Sequence, residues 1–184
     1  MSQLSEFSQA LAKLLPLVDE SHFPQALIAL LERLVQVDDA RIIAFPSEQL
    51  PIAIYNNPRS DGKSSMEQFV NGAFLLDPYY INANQGAEGF FRLKELAPKG
   101  FEESEYYRNF YNQAGYQDEC GYLIRVDNKS FINISLARTS KPTAFSKKQL
   151  QTLSEITPVI STLCQQHWKK SVDHQAQPPA LDAD

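Results

Sequence analysis

Residues 75–126, LLDPYYINANQGAEGFFRLKELAPKGFEESEYYRNFYNQAGYQDECGYLIRV, form the stretch around which the chain is organised. With Phe74 just before it, the stretch carries Tyr79, Tyr80, Phe90, Phe91, Phe101, Tyr106, Tyr107, Phe110, Tyr111, Tyr116 and Tyr122, more than half of the chain's Phe, Tyr and Trp. Rings at this density build either an aromatic core or a cavity that admits a ligand. A helical pattern runs from Met66 through Phe69, Ala73, Leu76, Tyr80 and Ala83 and breaks at Asp77-Pro78, where Asp77 reads as an N-cap and Pro78 as the first residue of a new helix. Gly89 to Leu93 reads as a short strand. Ser104 offers a cap for a helix through Gln113, closed by Gly115, on which Tyr106 with Phe110 and Tyr107 with Tyr111 form two i,i+4 pairs.

Downstream, Cys120–Val126 and Phe131–Arg138 alternate as strands on either side of a hairpin turn, Asp127-Asn-Lys-Ser130. Ile132, Ile134 and Leu136 share one face of the second strand, and Phe131, Asn133, Ser135 and Ala137 the other. Ser146 and Gln149 form a capping box that opens a long helix to about Lys170, with a kink expected at Pro158. Residues 171–184 are too poor in apolar groups to pack and read as a flexible linker or tail. Upstream, Ala40–Phe45 and Pro51–Tyr55 read as a hairpin, and Asn56–Ser65 as an exposed loop. Two amphipathic helices come first, one over residues 3–17 and one capped by Ser21 with Pro24 in its first turn. The order predicts an α+β layered domain over residues 1–170, with about five mostly antiparallel strands flanked by N- and C-terminal helices.

At 184 residues the chain suits one domain that folds without disulfides or a structural metal. A net charge of −5 with interspersed signs lacks the basic footprint of a nucleic-acid binder. No apolar run approaches the roughly 20 residues that span a bilayer, and the N-terminus has no signal-peptide pattern, so no membrane association is expected. Cys120 and Cys164 lie far apart without CxxC pairing, which favours a reducing, cytoplasmic setting. Catalysis is not expected. His22, His167 and His174 all lie far from the central acids, Cys164 with His167 supplies only two metal ligands, and no phosphate-binding glycine loop occurs. No cofactor is expected either.

The ordered series Leu76-Asp-Pro-Tyr-Tyr80, Gly89-Phe-Phe-Arg-Leu93, Leu96-Ala-Pro98 and Ser104-Glu-Tyr-Tyr107, together with Phe145-Ser146 at the start of the last helix, resembles the N-terminal sensory regions of certain LuxR-type helix-turn-helix regulators over residues 66–165. The resemblance implies a GAF/PAS-like sheet, a role in sensing a small molecule or a protein, and coupling through the terminal helix to a DNA-binding helix-turn-helix expected beyond residue 184. DNA contact would be made only through that further domain. The Trp-rich acyl-homoserine-lactone pattern of quorum-sensing members is missing, since the single Trp, Trp168, lies on the last helix, so the resemblance implies no ligand class.

The function expected is ligand sensing for a LuxR-type regulator, an unknown small effector being held by Tyr55, Phe74, Tyr80, Phe91, Arg92, Tyr107, Phe110 and Tyr111. For each ring the alternative is packing in a core. Arg92 binds an anion or pairs with Glu95, Asp118 or Glu119. Asn133 and Ser135 either meet a ligand on a sheet face or face water. The apolar stripes of the terminal helices predict a homodimer. Two other classes stand beside this one: an interaction module without a cavity, and a GAF-like thiol enzyme that would depend on Cys120.

Overall fold

The computed structural model describes residues 2–57, 63–140 and 142–175. Residues 58–62 of the expected exposed loop and residues 176–184 of the expected linker lie outside the described residues. Five strands, β1 (Asp39–Phe45), β2 (Ile52–Asn56), β3 (Gly89–Arg92), β4 (Asp118–Arg125) and β5 (Phe131–Arg138), form one sheet in the order β2-β1-β5-β4-β3. Every pairing in it is antiparallel. The β4–β5 hairpin is set by its turn: the Asp127 carboxylate accepts the backbone N–H groups of Lys129 (2.7 Å) and Ser130 (2.6 Å), a short side chain mimicking a backbone turn. The register then pairs Gly121 with Ser135 and Arg125 with Phe131.

Alternation along the strands separates two cores. On one face Ile42, Cys120, Tyr122, Ile124, Ile132, Ile134 and Leu136 pack under helices; on the other Ile43, Phe45, Leu123, Phe131 and Ala137 join the aromatic segments. The helical layer begins with α1 (Gln3–Leu14) and α2 (Phe23–Leu34), with a single 3₁₀ turn at Leu15–Leu17 between them. Ser21 does not cap α2 as expected. The N-cap is His22 and makes no side-chain cap bond, because fully buried Phe23 takes the first helical position and Pro24 follows in the turn that needs no N–H.

The expected single terminal helix is two helices, α6 (Lys147–Glu155) and α7 (Thr157–Gln175). Pro158 has no N–H with which to continue the α6 ladder, but fits the first turn of a new helix. The capping box at the start of α6 is present, with Ser146 Oγ accepting from Gln149 N–H at 3.2 Å and Gln149 Oε1 accepting from Ser146 N–H at 2.8 Å. α7 runs past the expected end at Lys170. The sheet holds this layer partly through the Tyr122 hydroxyl, which donates to the Leu153 carbonyl at 2.8 Å. Among the described residues no helix is long and apolar enough to cross a membrane.

The other face is covered by short elements: α3 (Lys63–Val70), a 3₁₀ turn at Ala73–Leu76, α4 (Pro78–Asn84), α5 (Leu93–Leu96), a second 3₁₀ turn at Phe101–Glu103 and a π-helical turn at Tyr107–Tyr111. The helix break at Asp77-Pro78 is present, and Asp77 caps α4 by accepting the Tyr79 and Tyr80 N–H groups at 2.6 and 3.4 Å. The expected α-helix after Ser104 is instead a wide turn, in which Asn112 N–H reaches the Tyr107 carbonyl at 2.7 Å. Residues four apart stay on one side of such a turn. Tyr106 stacks on Phe110, and Tyr107 on Tyr111, each at 5.3 Å.

Candidate functional site

The structure brings Phe74, Tyr80, Phe91, Tyr107, Phe110 and Tyr111 to the sheet face opposite the helical layer, all within one aromatic core. Tyr55 and Arg92 are placed elsewhere. Tyr55 is paired with Ile42 and packs into the helical core, where the bulge between Ile42 and Ile43 turns it away from the aromatic side. Arg92 is paired with Cys120, on the helical face. There its Nη2 contacts both carboxylate oxygens of Asp118, at 2.9 and 2.8 Å, and Asp118 also accepts the Phe145 N–H at 2.9 Å. Of the partners expected for Arg92, Asp118 takes the guanidinium; Glu95 accepts only its backbone N–H, at 2.8 Å.

Beneath the rings lies a polar layer. Asp39 and Arg41, two apart on β1, point the same way as Asn133 and Ser135 on β5 and Glu119 on β4, and all of them are buried. Arg41 Nη2 stands 3.5 Å from Asp39, and its guanidinium lies over the rings of Tyr116 and Phe110 at 5.3 and 5.8 Å. The Tyr116 hydroxyl donates to Asp39 and the Ser135 hydroxyl to Glu119, while the Tyr106 hydroxyl donates to Asp77 at 2.9 Å. Burial strips Glu119 of water and, with Asp77 nearby, pushes its pKa up to about 8. Burial also raises Asp77 against the pull of Tyr106 and its cap bonds. β1 begins at Asp39, one residue before the expected strand start at Ala40. The alternation Asp39-Ala-Arg41, set opposite Ser135, was the signal that a polar row crosses the sheet.

The layer ends in a cavity of about 600 Å³, a volume within the range of small-molecule sites. Its wall is the last row of the sheet, Phe45 on β1, Phe131 on β5 and Arg125 on β4, which are direct cross-strand partners. Tyr80 from α4 completes an aromatic floor, its ring 5.1 Å from Phe45, which itself stacks on Phe131 at 4.9 Å. The loop after β1 and the Asn128-Lys129 turn form the rim. A chain of ring contacts, Phe45 to Phe69 at 6.3 Å, Phe69 to Phe110 at 5.5 Å and Phe110 to Tyr106 at 5.3 Å, joins this cavity to Asp77. Arg125 also reaches the other layer, because its carbonyl accepts from Gln165 Nε2 on α7 at 3.0 Å. Cys120 and Cys164 sit in the helical core, where burial pushes both thiols up.

No family model matches the chain. A protein of Aeromonas salmonicida described as an HTH-type transcriptional regulator in the exeN 3′ region is 30% identical over 105 residues, spanning 56% of this chain and 53% of the relative. The match therefore takes in about half of the length of that relative. Among solved structures, the VqsR LBD domain of Pseudomonas aeruginosa superimposes with a TM-score of 0.74 at 24% identity, covering 87% of this chain and 94% of that one. CepR2 of Burkholderia cenocepacia, an N-acylhomoserine lactone dependent LuxR family transcription factor, gives 0.67 at 12% identity over 95% of this chain and 99% of that one. The GAF domain of a two-component sensor histidine kinase from Bacillus halodurans gives 0.55 at 14% identity, covering 87% and 99%. This chain has the α+β fold shared by GAF domains and the ligand-binding domains of LuxR-type regulators, and its sequence is similar to that of a helix-turn-helix transcriptional regulator.

Proposed function

We propose that residues 1–170 form the sensory domain of a LuxR-type transcription regulator, that a small effector binds in the cavity floored by Phe45, Tyr80 and Phe131, and that the domain works as a cytoplasmic homodimer joined through its C-terminal segment to a helix-turn-helix. The observation that carries this reading is the position of Arg125. Its side chain walls the cavity while its carbonyl holds Gln165 of α7, so an effector that moves the end of β4 also moves the helix leading onward. Such coupling needs an effector that prefers one arrangement of the two. An interaction module without a cavity accounts for the aromatic packing but leaves the aromatic-floored space at the sheet end without a role.

The test is a thermal-shift screen of small metabolites, acyl-homoserine lactones included because CepR2 depends on them, followed by hydrogen exchange with each hit. The expected hit raises Tm and protects residues 45–50, 80–84 and 125–131. A hit that protects only surface segments remote from these overturns the placement, and a library without hits on a folded domain overturns effector sensing.

A further inference from the structure

Resting on the sensory reading above, we infer that the cavity takes an amphipathic carboxylate, a flat or acyl apolar body ending in a small oxyanion, and that Arg125 and Lys129 bind the anionic end. The row Phe45, Phe131, Arg125 is apolar at two positions and cationic at the third, so a ligand lying along it meets rings first and then a guanidinium. Arg125 is held in place without being used up: Nε donates to Glu88 at 2.8 Å and Nη2 to the Ala83 carbonyl at 3.0 Å, and a guanidinium carries five N–H groups in a fork that matches a carboxylate. Both anchors come from the end of α4 and the residues just after it, so they fix the fork at the cavity wall.

Lys129 lies within the hairpin turn that follows β4. It is 71% exposed and faces Glu48 at 3.8 Å, itself 87% exposed, a pair so wetted that separating it costs little. Glu48 sits on the rim in the left-handed region at φ 59, a conformation that non-glycine residues seldom adopt. Its carboxylate occupies the place at Lys129 that the ligand's own carboxylate would take. Among the residues that line the cavity, two are cationic and Glu48 is the acid, so a ligand that displaces Glu48 meets two cations above an aromatic floor. A neutral acyl lactone would gain no charge-assisted contact from either cation, and each would keep its own carboxylate, Glu88 and Glu48.

The experiment uses the 184-residue chain, with 4-phenylbutyrate and its primary amide as matched probes, followed by amide chemical-shift titration. The acid is expected to shift residues 45–50 and 125–131 and to bind about tenfold tighter than the amide, the effect of one charge-assisted contact. Lys129→Glu, a change at an exposed turn, is expected to remove most of that advantage, read as the ratio of acid to amide affinity on the same variant. Equal binding of acid and amide, or no effect of Lys129→Glu on the acid, overturns the carboxylate inference while the cavity keeps its sensory role. If neither probe shifts those segments, the carboxylate inference falls, while the sensory reading stands or falls separately with the metabolite screen above.

Discussion

Glu119 lies on a central strand beside Asp39, Asp77 and Arg41, with Ser135 donating to it, and burial raises its pKa to about 8 from an ordinary 4.5. A group whose folded pKa is raised stabilises the fold fully below its unfolded pKa, and that stability is lost as pH climbs toward the folded value. The wild-type domain is therefore expected to lose stability from about pH 4.5 to pH 8 through this residue, with a slope approaching about 1.4 kcal/mol per pH unit. Asp77 is shifted the same way. His167 is shifted down by burial and gives the opposite slope below its ordinary value, and the two buried thiols add to the loss only as pH nears their ordinary 9, so the difference between wild type and a Glu119 variant isolates this acid. Glu119→Gln keeps an acceptor for Ser135 and removes the proton. It should flatten the slope and leave the variant the more stable form at pH 8.5, measured by urea unfolding across pH; parallel curves for wild type and variant would place the pH sensitivity elsewhere.

Elements on the aromatic side are short and lean on single side chains. Asp77 both caps α4 and receives the Tyr106 hydroxyl, so it ties α4 to the π-helical turn. Asp77→Ala removes a cap worth about 1 kcal/mol and leaves a buried hydroxyl unpaired, at a further cost of about 1–3 kcal/mol. Asp77→Asn keeps the acceptor and should cost clearly less, a ranking that chemical denaturation reads directly; equal losses would mean that the carboxylate's charge, rather than its acceptor, matters. In the sheet, Gly121 faces β5 so closely that an added Cβ would lie 2.1 Å from the Ile134 carbonyl oxygen. The two strands would have to part. Gly121→Ala is expected to cost about 3 kcal/mol, at the high end for overpacking, seen as a lowered urea midpoint; a change below about 1 kcal/mol would mean that β4 and β5 can separate at that point without loss.

At the scale of the molecule, one sheet divides two unlike layers. The helical layer is mainly apolar, with the Arg92–Asp118 pair at its edge, whereas the aromatic layer holds a buried ionic row and opens at one end. Leu4 on α1 and Leu15 in the 3₁₀ turn after it are exposed, at 75% and 52%, in the layer that also carries α7. A homodimer through this layer is the assembly we propose, and native mass spectrometry at tens of micromolar protein should show it. Only monomer, with Leu4→Glu no different from wild type in its sedimentation, would remove the helical layer as an interface.

Much of this fold was legible before any coordinates. The two-faced alternation of β5 follows from period-two patterning. The turn at Asp127, the cap at Asp77 and the capping box at Ser146 are local chemistry, carried by a few consecutive residues, and local interactions survive without tertiary context. The π-helical turn was not legible. Sequence spacing pairs Tyr106 with Phe110 and Tyr107 with Tyr111 in either helix type, so the spacing carries no signal for the wider one. Nor could the sequence alone place Tyr55 and Arg92, because a single bulge or one step of register reverses the face on which a strand residue stands. The cavity belongs to the same class. Phe45, Arg125 and Phe131 are far apart in the chain, and only the joint register of three strands sets them side by side in one row.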